Sequence, residues 1–85
     1  MKFIVYNSVP FINGTKNKKK RKFFDAYTPF VVVSAYEDEF TIKPLGRGNH
    51  LHYTINPKFL MVKNVYGQFV YVGNILTFDY IIANT

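Results

Sequence analysis

Turn-forming residues punctuate this chain, from Pro29 onward at intervals of roughly 7–10 residues, and most of what lies between them is β-branched or aromatic. The breaks fall at Pro10, Asn13-Gly14, Pro29, Glu37-Asp38, Gly46-Arg47-Gly48-Asn49, Asn56-Pro57, Tyr66-Gly67 and Gly73-Asn74. Segments this short have the length of strands. Nowhere do apolar residues recur at helical spacing over about ten residues behind a cap. The expected class is all-β, with about six to seven short strands. A small antiparallel β-barrel, SH3-like or OB-like, is the expected architecture, because closing the sheet removes its exposed edges.

Alternation within the segments assigns their faces. Residues 2–9 read as the first strand, closed by Pro10. Residues 30–36 follow Pro29 and contain Val31-Val32-Val33, apolar on both faces, as a central strand should be. Glu37-Asp38 is the expected turn into residues 39–45. There Phe40 and Ile42 share one face, and Glu39, Thr41 and Lys43 share the other. In residues 50–55, Leu51, Tyr53 and Ile55 are expected inside, with His50, His52 and Thr54 outside. Residues 59–65 and 68–72 form a hairpin about Tyr66-Gly67. Gly73-Asn74 then signals a tight hairpin into a last strand, 75–82, with Leu76, Phe78, Tyr80 and Ile82 inward.

Eighty-five residues make one expected domain, 1–85. A chain of this size buries only roughly 60–65% of its unfolded surface. Nine Phe and seven Tyr compensate, each removing about 150–250 Å² from water when buried. With no cysteine, neither a disulfide nor a thiolate metal site can staple the fold. No apolar run reaches the ~18–20 residues of a membrane span, and none resembles a secretory leader. The bias toward Phe, Tyr, Ile, Asn and Lys points to an AT-rich coding genome. The expected setting is intracellular and not secreted: a low-GC bacterium, a phage-infected cell or an organelle matrix.

The charge is concentrated. Lys16, Lys18, Lys19, Lys20, Arg21 and Lys22 lie within a seven-residue run interrupted only by Asn17. Lys2 is the only other cation in the first 24 residues. Beyond them, Lys43, Arg47, Lys58 and Lys63 are slightly outnumbered by Asp25, Glu37, Asp38, Glu39 and Asp79. The net charge of +6 therefore describes one segment, not a basic surface. That run sits in a long basic loop, residues 10–29, longer than the ~12–15 residues usual in compact domains. Lys and Arg neutralise phosphates and release counterions, giving affinity without sequence readout. Phe23, Phe24 and Tyr27 follow at once. They are expected to dock the loop's return on the core, or to stack on bases. A merely solubilising loop, an anionic membrane surface, an acidic protein or a nuclear-import role fits the same run.

Other constellations are weaker. His50 and His52 project from one face of a strand and could share a metal, but no third ligand lies nearby. His52-Tyr53-Thr54 matches one H-x-T element of the two-histidine phosphoesterases, whose acid–base pair needs two such elements. Gly46-Arg47-Gly48-Asn49 lacks a Walker pattern, which leaves Arg47 as a loop-tip phosphate or base contact. Glu37-Asp38-Glu39 reads as a solvated turn. The aromatics Phe40, Tyr53, Phe78 and Tyr80 fall at expected core positions, and Tyr66 at a hairpin tip. No nucleophile triad or phosphate-binding fingerprint is present, so no enzyme, cofactor or metal is expected.

In architecture and charge the pattern resembles small β-barrel RNA-binding proteins in general. The expected role is non-enzymatic nucleic-acid binding, RNA before DNA, in a ribosome or other ribonucleoprotein. Lys16, Lys18, Lys19, Lys20, Arg21 and Lys22 would carry affinity, with Arg47, His50 and His52 as a second contact. The rival expectation is a small phage-encoded effector that binds and inhibits a host protein through a β-edge or aromatic surface. A subunit of a larger assembly is a third.

Overall fold

The computed structural model describes residues 3–12, 23–46 and 52–84. They are mostly strand. β1 (Ile4–Asn7), β4 (Pro29–Tyr36), β5 (Glu39–Pro44), β6 (Tyr53–Ile55), β7 (Leu60–Lys63) and β8 (Phe69–Tyr71) form one curled antiparallel sheet. Its order is β6-β5-β4-β1-β7-β8. β2 (Phe11–Ile12) and β3 (Phe23–Phe24) pair separately as a two-stranded ribbon. The expected long connection thus carries a paired stem, with Ile12 opposite Phe23.

The valine-rich strand is central, as its composition predicts, and lies between β5 and β1. Its register with β5 shifts between Val32 and Ser34, which leaves Val33 as an extra residue, exposed in a bulge. The Glu37-Asp38 turn and the alternation of β5 agree with the sequence reading. Phe40 and Ile42 are fully buried, and cross-strand pairs Phe40–Ile55 and Ile42–Tyr53 carry the inner face on to β6. On the other side Val5, Phe30 and Pro44 share a row across β1, β4 and β5, and Asn7 pairs with Leu60 of β7. Val5, Phe30, Leu60, Val62 and Val72 complete the core with these residues.

Residues 75–82 are not a strand. Ile75–Ala83 is an α-helix, α1. Gly73, at φ 78°, turns the chain, and the Asn74 side chain accepts the Thr77 backbone N–H at 2.9 Å. That N-cap satisfies a donor the first turn would otherwise leave orphaned. The helix faces the sheet with Ile75, Phe78 and Ile81, at i, i+3 and i+6. The Phe78 ring meets Phe3 at 5.0 Å and Phe40 at 4.8 Å, both edge-on. Leu76, Tyr80 and Ile82, expected inward, are exposed instead. At the far end the Asn84 side chain donates to the Tyr80 carbonyl.

Candidate nucleic-acid interface

Residues that pair across strands share a face, as do alternate residues along one. Tyr6 of β1 pairs with Met61 of β7, and Met61 pairs with Tyr71 of β8. In the next row Lys63 pairs with Phe69. Val5, Asn7, Leu60 and Val62 occupy the alternate, core-facing positions. Tyr6, Tyr71, Phe69 and Lys63 therefore stand together on the outer face. Phe69 reaches diagonally to Tyr6, ring centroids 5.1 Å apart at 82°. The Lys63 ammonium lies 5.4 Å from the Phe69 ring centre and 6.0 Å from that of Tyr6.

Tyr27 joins this patch from outside the sheet. Its ring centroid is 5.0 Å from Phe69. Its backbone adopts φ 66°, a conformation bulky side chains rarely take. Asn7 holds it there. The Asn7 carbonyl accepts the Tyr27 backbone N–H at 2.7 Å. The fully buried Asn7 carboxamide donates to the carbonyls of Val9 and Asp25 and accepts the Thr28 N–H, each at 2.8 Å. One side chain thus ties the departure of the basic segment, at Val9, to its return, at Asp25–Thr28. Phe24 secures the return from the core side, edge-on to Phe30 and Tyr53 at 5.2 Å each. Phe23 is exposed.

Of the nucleic-acid-binding residues expected from the sequence, the structure describes only His52. It is exposed and immediately precedes β6, the edge strand opposite β8, so the fold does not bring it to the aromatic patch. Lys16, Lys18, Lys19, Lys20, Arg21, Lys22, Arg47 and His50 lie outside the described residues. Tyr66, at the β7–β8 turn, is exposed as expected, and the Asn64 side chain accepts its N–H and that of Gln68. Sequence reasoning did not single out Tyr6, Lys63, Phe69 or Tyr71. The available signal was the Phe69-Val70-Tyr71 triplet, two aromatics on one side of a short strand.

Among the described residues no three His, Asp or Glu side chains converge as metal ligands would, and no helix is long and apolar enough to cross a membrane. Comparisons with protein-family models, curated proteins and solved structures return no match to this chain.

Proposed function

We propose that this chain is a non-enzymatic nucleic-acid-binding protein that prefers RNA to DNA and works inside a ribonucleoprotein such as a ribosome. In this reading the curled sheet is a small-barrel scaffold of SH3-like or OB-like kind, and residues 16–22 contact phosphates. Arg47, His50 and His52 form a second contact near β6. The observation that carries the proposal is the pairing of Ile12 with Phe23. Six of the chain's eleven cations lie in the sequence between these two paired strands. Charge gathered in one short stretch of sequence suits a polyanion whose phosphates are closely spaced.

The test is fluorescence anisotropy with labelled RNA and DNA across a salt series. Six phosphate contacts predict a slope of about −4 to −5 in log K against log salt. Replacing the six cations of 16–22 with Gln flattens that slope and removes most of the affinity. An unchanged slope overturns the proposal.

A second reading, a protein-binding module inside an infected bacterial cell, is favoured by β8. It is an edge strand whose three residues are all exposed and apolar, a template for strand addition. A complex that survives complete nuclease digestion and is lost on Val70→Pro supports this second reading over the first.

A further inference from the structure

We infer that Tyr6, Tyr27, Phe69 and Tyr71, with Lys63 among them, form a stacking platform for unpaired bases, so that the nucleic acid taken is single-stranded. The inference rests on the nucleic-acid reading above and assigns it a ligand class and a second site.

Three observations carry it. First, the rings stay substantially exposed, although Tyr27 and Phe69 touch: Tyr27 is 56%, Phe69 39% and Tyr71 60% accessible. Rings serving the core of a chain this small would be covered, as Phe30 and Phe40 are. Second, the contacts are edge-on or tilted, 82° for Tyr6–Phe69 and 58° for Tyr27–Phe69. Neither pair is stacked face to face. The edge-on contact covers a face of one ring only, and Lys63 covers one face each of Phe69 and Tyr6. The open ring surface of the patch therefore belongs mainly to Tyr27 and Tyr71. A base offers such a face whatever its identity, and base–aromatic stacking is tolerant of sequence. Third, Tyr27 is held in an unfavourable backbone conformation by three hydrogen bonds between Asn7 and Asp25, Tyr27 and Thr28, yet over half of it faces solvent. Strain maintained for an exposed side chain is characteristic of binding sites.

Charge complementarity selects the occupant. The Lys63 ammonium sits over two of the rings, where it can meet the phosphate of a nucleotide whose base lies on a neighbouring ring. Tyr27 follows the cationic segment in the chain by only a few residues. A duplex, whose bases are already stacked on one another, gains the loop contact but not the platform.

The test compares a single-stranded uridine oligonucleotide, an RNA duplex of equal length and heparin, a polyanion without bases. With seven Tyr and no Trp, intrinsic fluorescence reports on the tyrosines directly. The expected result is quenching by the oligonucleotide but not by heparin. Tyr27→Gly and Tyr71→Ala together should weaken single-strand binding by roughly tenfold or more and leave duplex binding within about twofold. Tyr71→Phe, which keeps a stackable ring, restores affinity. Tyr27→Gly relieves the positive φ, so a melting temperature near wild type shows that lost affinity is not lost folding. Equal loss for strand and duplex, or no loss for either, overturns the platform and leaves the loop reading standing. If the wild type binds neither nucleic acid, both fall. A protein partner that survives nuclease and is lost with the Tyr71 variant assigns the patch to protein instead and also overturns the inference.

Discussion

The Asn7 carboxamide oxygen accepts the Thr28 backbone N–H at 2.8 Å, across a separation of 21 residues. The same side chain donates to Val9 and Asp25. Asn7 is the one buried polar side chain in the described core, and all three of its bonds go to the ends of one long connection. The sheet thus fixes where the cationic segment leaves and where it returns, while Tyr27 is set beside Phe69.

Asn7→Ala should destabilise the fold by roughly 2–4 kcal/mol, because the Val9 carbonyl and the Thr28 N–H lose the carboxamide at a part-buried site and the Asp25 carbonyl keeps only the Thr28 hydroxyl. Asn7→Leu fills the volume but supplies none of the three lost hydrogen bonds, so it should not rescue. Thr28→Ala removes only an exposed hydroxyl bond to the Asp25 carbonyl and should cost about 0.5 kcal/mol or less. Urea denaturation of the three variants measures the difference. Equal effects for Asn7 and Thr28 would mean the clamp is unimportant.

The β4–β5 hairpin was legible because a turn pair, Glu37-Asp38, stands between segments whose alternation agrees. The aromatic face was not. In residues 4–7 and 69–71 both faces are apolar, Tyr6 against Val5 and Phe69 and Tyr71 against Val70. Alternation says that two faces exist, not which one is covered. The pairing of β1 with both β4 and β7 groups these residues by face, and the packing of Phe78 with Val5, Leu60 and Val62 shows which face is covered. Residues 75–82 fit a strand pattern for a related reason. Leu76, Phe78, Tyr80 and Ile82 satisfy a period of two, and Ile75, Phe78 and Ile81 satisfy a spacing of three over too short a span to outweigh it. The Asn74 cap and the place for Phe78 between Phe3 and Phe40 decide the helix, and the second of these is a tertiary fact.

Gly67 and Gly73 both have φ 78°, and a Cβ built at either meets nothing within 4 Å. Substitution there tests backbone conformation free of steric clash. Gly67→Ala and Gly73→Ala should each cost about 1–2 kcal/mol. Gly67→Asn and Gly73→Asn should cost less, since Asn tolerates the left-handed region. Thermal melts of the four variants provide the ranking, and Ala at or below the cost of Asn would contradict it.

Glu37 holds φ 46° in the β4–β5 turn, where a short polar side chain is favoured. Glu37→Asn should stabilise the protein by about 0.5–1 kcal/mol. It also removes one charge from a run of three carboxylates. Glu37→Gln removes the charge without changing the conformational preference, so the gain beyond Gln belongs to the backbone. If Gln matches Asn in low salt and the gain of both vanishes in high salt, the effect is charge repulsion alone.

Phe78 and Tyr80 separate the helix from the strand that the sequence pattern suggests. On a strand they would share the inner face and be comparably costly to truncate. On α1 they point apart, Phe78 3% exposed between two aromatic rings and Tyr80 70% exposed. Phe78→Ala should therefore cost about 3–5 kcal/mol, and Tyr80→Ala about 0.5 kcal/mol or less. Asn74→Ala should add a cap loss of about 1 kcal/mol, reported by far-UV circular dichroism as reduced helical signal. Because native stability in small domains is only about 5–15 kcal/mol, the Phe78 variant will sit near its unfolding midpoint under mild denaturant. Chemical denaturation of the two aromatic variants should thus give midpoints far apart. Midpoints that coincide would return residues 75–82 to a strand, and with it the helix that closes the core over Phe3 and Phe40 would be lost.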